Sequence, residues 1–104
     1  MADSQNQTGS AVKERTDVQK KEPTLYKVVL LNDDYTPMEF VVQVLESLFQ
    51  KSPAEAFRVM MQVHVEGRGI AGVYPWEVAE TKADKVASLA NEAGHPLRAT
   101  IEEA

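Results

Sequence analysis

The sequence predicts an α+β fold, a two-layer sandwich in the order β-α-α-β-α-β with a three-stranded antiparallel sheet and three helices. Three observations predict it. An apolar, β-branched run, Leu25 to Leu31, ends in the turn formers Asn32-Asp33-Asp34. Two helix-start signatures follow closely, Thr36-Pro37-Met38-Glu39 and Ser52-Pro53-Ala54-Glu55. Two further short apolar segments flank an amphipathic stretch that stops at Gly94. Three helices on one side of three strands bury every apolar face these segments carry.

The first strand is Leu25 to Leu31, whose near-continuous apolarity suits a position covered by helices. In the first helix Thr36 is expected to cap, Pro37 to take the first helical position and Glu39 to bond back to the cap amide. Its apolar residues Met38, Val41, Val42, Leu45, Leu48 and Phe49 recur at three and four, which makes one buried stripe. After a tight corner at Gln50-Lys51, the second helix runs from Pro53 to about Glu66 and stops at Gly67. Ala56, Val59, Met60 and Val63 mark one face of it, and Phe57, Met61 and His64 the neighbouring one. So wide an apolar band implies a helix between two surfaces or along a groove. Arg68 to Tyr74 is expected as the second strand, with glycines that suggest close backbone approach. A third helix fits Val78 to Ala93, and Leu97 to Ile101 the last strand.

Composition narrows the function. The 104 residues suffice for one domain, and with 16 acidic against 11 basic side chains the formal charge is -5. That balance disfavours nucleic acid and anionic membrane as partners, since phosphate binding draws on Lys and Arg. The chain has no cysteine, which excludes disulfides, thiol nucleophiles and Cys-based zinc sites. Residues 1–24 carry four acids and four bases and few large aliphatics, so the whole acidic excess lies in residues 25–104. Residues 1–24 are expected to form a flexible arm, and residues 25–104 the folded domain. A polar start without a signal-like apolar run, and no stretch of about 20 apolar residues, point to the cytoplasm.

Two regions carry more polarity than folding requires: Asn32, Asp33 and Asp34 at the end of the first strand, and His64 near the end of the second helix. In an antiparallel helical hairpin these ends meet. An amide oxygen, carboxylates and an imidazole suit a cation with several N–H donors, such as a protonated peptide α-amino group. Met38, Met60 and Val63 beside them could line an apolar hole for one side chain. Plainer readings stand next to this one: an Asn-Asp-Asp turn bonded to its own backbone, a structural histidine, and methionines of the core. No nucleophile elbow, metal-ligand spacing or phosphate loop is present, so neither catalysis nor a cofactor is expected. The competing class is a scaffold or ribosome-associated interaction domain, because this fold alone implies no particular partner.

The run Asn32-Asp33-Asp34-Tyr35-Thr36-Pro37-Met38-Glu39-Phe40-Val41 resembles the signature of the ClpS adaptors of the Clp protease, the bacterial N-end rule recognition proteins. The likeness continues through Met60, Val63-His64, Glu77 to Lys82 and His95-Pro96-Leu97, and covers about residues 25–104. It implies a monomeric adaptor, without cofactor or turnover, for amino-terminal Leu, Phe, Tyr or Trp, which docks on the N-terminal domain of the ClpA unfoldase. The resemblance places the substrate's α-amino group around Asn32, Asp34 and His64, with Asp33 in an acidic rim. It places Thr36, Met38, Val41, Met60, Val63 and Leu97 around the side chain, with Met38 excluding β-branched first residues. It places partner docking at Glu77 and Lys82, which otherwise read as solvated surface. The arm would serve in handing substrate over.

Overall fold

A computed structural model describes residues 22–104, and the expected arm lies, up to residue 21, outside them. The elements are β1 (Leu25–Leu31), α1 (Met38–Phe49), α2 (Pro53–Glu66), β2 (Arg68–Pro75), α3 (Trp76–Ala93) and β3 (Arg98–Glu103). The order is the one the sequence predicts. β1 is central and antiparallel to both β2 and β3.

Alternation along β1 sends Val28 and Leu30 towards the helices, where they join Val41, Val44 and Leu45 of α1, Val59, Met60 and Val63 of α2, and Ala79, Val86 and Ala90 of α3. All three helices therefore share one face of the sheet. Val29 is equally buried, but it points to the other face, between its cross-strand neighbours Ile70 and Thr100. Its burial comes from the sheet itself, so the apolarity of β1 reflects a central position as well as helix cover. The β1–β2 register shifts between Val28 and Val29, and the extra residue on β2, Ala71, turns its methyl into the core.

Local signals explain most element ends. Ser52 and Glu55 form the expected capping box, and Gly67 ends α2 at φ 90 with its amide donating to the Val63 carbonyl. Gly94 ends α3 at φ 78. At the tight corner Gln50 takes a left-handed conformation, φ 51, and the Lys51 amide donates to the Leu45 carbonyl.

The start of α1 differs from the expectation. Pro37 is the cap, with no side-chain hydrogen bond; Thr36 lies one residue before it and donates its hydroxyl to Asp33 Oδ2. α3 begins two residues earlier than the periodicity suggests, at Trp76, whose ring meets Tyr26 edge-on at 5.1 Å. β3 begins after Leu97 and extends to Glu103, and its Glu102 pairs with Arg68 of β2 at 2.6 Å.

Candidate functional site

The end of β1 and the end of α2 are tied by one backbone bond. Because α2 stops at Gly67 and β2 begins at the next residue, antiparallel pairing brings Gly67 beside the exit of β1, where the Asn32 amide donates to the Gly67 carbonyl at 3.0 Å. His64, in the last turn of α2, is thereby held over the acidic turn. Asn32, Asp33, Asp34, Thr36, Met38, Val41, Met60 and His64 line one cavity of about 260 Å3. Pockets for drug-sized ligands measure about 300 to 1,000 Å3, so this smaller one suits one large side chain and its backbone.

The three acidic-turn residues divide the work. Asp33 Oδ1 accepts from the amides of Tyr35 (2.8 Å) and Thr36 (2.7 Å), and Oδ2 accepts from the Thr36 hydroxyl (2.7 Å). Burial acts to raise the Asp33 carboxyl, but these bonds and the charge of His95 outweigh it and hold the group below its ordinary value. Asn32, Asp34 and His64 are exposed, and among the described residues no side-chain hydrogen bond occupies them. The turn is thus fixed by Asp33, while an amide, a carboxylate and an imidazole remain open to a ligand.

Of the residues expected around the side-chain hole, Thr36, Met38, Val41 and Met60 line the cavity. Val63 and Leu97 do not. They are 2% and 3% exposed and belong to the core cluster. Val63 also packs near β2, where a Cβ on Gly69 would stand 2.7 Å from its Cγ2. Sequence reasoning gave His95 no role. Its ring meets Phe40 edge-on at 4.7 Å, and its charge reaches Asp33. No local pattern marks such a contact, since the partners are joined only by the docking of the segment after α3 on the start of α1.

Glu77 and Lys82 lie elsewhere. With Ser47, Leu48, Gln50 and Val78 they help line a larger hollow, about 390 Å3, between the end of α1 and α3. Its lining mixes one carboxylate, Glu77, with the two ammonium groups of Lys82 and Lys85, unlike the smaller cavity, which Asp33 and Asp34 line without a Lys or Arg. Lys82 is not ordinary surface. Its ammonium donates to the Leu48 carbonyl at 2.6 Å and lies 5.6 Å and 5.3 Å from the ring centroids of Phe49 and Tyr74. Among the described residues no three His, Cys, Asp or Glu side chains are grouped as metal ligands would be. Nor is any described helix long and apolar enough to cross a membrane.

Comparison with known proteins agrees with the fold and with the signature around the turn. The sequence profile of the family described as ATP-dependent Clp protease adaptor protein ClpS matches residues 21–100. An ATP-dependent Clp protease adapter protein ClpS of Maricaulis maris is 55% identical over 96 residues, which cover 92% of this chain and 86% of that protein. The protein of that name in Burkholderia mallei is 52% identical over 95 residues, 91% of each chain. Among solved structures, Agrobacterium tumefaciens ClpS2 bound to L-phenylalaninamide superposes with a TM-score of 0.77 at 48% identity, covering 80% of this chain and all of that one. Proteins so described serve a protease without being enzymes themselves. With most of its length matched and more than half of its residues shared with a named relative, the chain belongs to the ClpS family of Clp protease adaptors.

Proposed function

We propose that the protein binds the free amino-terminal residue of substrate proteins, when that residue is Leu, Phe, Tyr or Trp, and delivers them to the ClpA unfoldase in the cytoplasm. The observation that carries this is the joint lining of one cavity by Asn32, Asp34 and His64 with Met38 and Met60. A protonated α-amine meets the first three, and the side chain enters between the two methionines. Each charge-assisted bond contributes about 1.5 to 3 kcal/mol. The ligand of the Agrobacterium relative supports this chemistry, because phenylalaninamide offers a free amine and an aromatic ring, with an amide where the next peptide bond would be. The hollow beside Glu77 and Lys82 is the proposed docking surface for the N-terminal domain of ClpA, and residues 1–24 the segment that assists transfer.

The test is binding of a short peptide beginning with Phe, measured by fluorescence anisotropy with its amine free and then acetylated. Acetylation is expected to weaken binding about a hundredfold or more, the equivalent of two lost charge-assisted bonds. His64→Ala is expected to weaken it about tenfold or more at unchanged melting temperature, since His64 is exposed. Equal affinity for the free and acetylated peptides would rule out capture of the amine.

A further inference from the structure

The cavity leaves the second apolar stripe of α2 unexplained. Phe57, Met61 and His64 recur at i, i+4 and i+7, with Val65 at i+8, and so lie along one side of the helix. His64 lines the cavity. Met61 is partly buried against the core, whereas Phe57 is 57% and Val65 72% exposed. A single exposed apolar side chain is ordinary, but a row that starts at a cavity mouth is a path.

Dimensions suggest what lies on it. At about 1.5 Å per residue, Met61 stands about 4.5 Å and Phe57 about 10.5 Å from His64 along the helix axis. An extended peptide advances about 3.3 to 3.6 Å per residue. A chain whose amine is held at His64 and which leaves the cavity along α2 towards Phe57 would bring its second residue beside Met61 and its fourth beside Phe57. The row is also too small for a stable protein dimer, which buries about 1,200 Å2 or more, because three side chains amount to a few hundred.

We propose that Met61 and Phe57 form a second contact surface for the same substrate chain, so that the protein favours apolar residues at positions two to four behind the hydrophobic first residue. This rests on the first-residue cavity proposed above. Substrates with a greasy start followed by polar residues would use the cavity alone.

The test uses three ligands: phenylalaninamide, a peptide beginning Phe-Leu-Leu-Leu and one beginning Phe-Ser-Ser-Ser, both with free amines and the same charged tail. The Leu peptide is expected to bind roughly five- to tenfold tighter than the Ser peptide, in keeping with partial burial of two large side chains. Phe57→Ala should remove most of that preference and leave phenylalaninamide affinity unchanged; Phe57 is exposed, and circular dichroism will show the variant folded. Equal affinities for the two peptides, or a preference that survives Phe57→Ala, overturns the proposal. Failure of phenylalaninamide to bind at all overturns the cavity and the stripe together. Should sedimentation instead show self-association that Phe57→Ala abolishes, with no peptide preference, the stripe is an interface between copies and the proposal falls.

Discussion

Asp33 sets the geometry on which the neighbouring side chains depend. It holds two amides and a hydroxyl of its own turn, so Asp34 and Asn32 are presented outward without having to bind the backbone themselves. Removing it with Asp33→Ala is expected to cost about 1 to 2 kcal/mol at neutral pH, which urea unfolding will measure. The carboxyl is held below its ordinary value in the folded protein. Its stabilisation is therefore fully present above the unfolded value, about 3.9, and is lost as pH falls through the lower folded value. The gap in stability between the native protein and Asp33→Ala should close across that acidic window. A gap that narrows between pH 8 and 5 would contradict this assignment.

At the level of elements, the start of the α1–α2 hairpin carries the cavity and its corner carries a different device. Lys82 reaches from α3 to the Leu48 carbonyl, one of the acceptors that α1 leaves open at its end, and its charge lies by two aromatic rings. Lys82→Met keeps most of the stem but not the donor, and is expected to lower stability by about 1 to 2 kcal/mol and the melting temperature by roughly 5 °C or more. A loss of partner docking in that variant has to be read beside this change. Sequence shows some of this and hides the rest, according to range. The Ser52 capping box and the Gly67 and Gly94 stops are written within a few residues and were legible there. Thr36 was misread because the helix begins at Met38, one residue later than the capping pattern implies, which leaves Thr36 in the turn with Asp33. Lys82 with Leu48, and His95 with Phe40, are contacts made only by packing, so no spacing announces them.

On the scale of the whole molecule, the cavity and the hollow beside Glu77 lie at opposite ends of α1, whose 12 residues span about 18 Å. Substrate capture and partner docking, as proposed, therefore do not compete for surface. The meeting of Asn32, Asp34 and His64 could be anticipated from the topology, since antiparallel helices return to where they began. That Val63 and Leu97 are buried in the core cluster while Met60 also reaches the cavity could not, because spacing along the chain does not say how each side chain packs. Deleting residues 1–24 is expected to leave the melting temperature and peptide affinity unchanged while slowing degradation of a substrate by the reconstituted protease. Loss of folding would show that the domain begins earlier. The Ala104 amide donates to the Leu25 carbonyl, so Ala104 lies beside the entry of the central strand, a whole strand length away from the acidic turn. A dye or fusion partner joined at Ala104 would hang about 20 Å from the cavity mouth, distant enough to leave capture alone and near enough to report it by energy transfer from a labelled peptide.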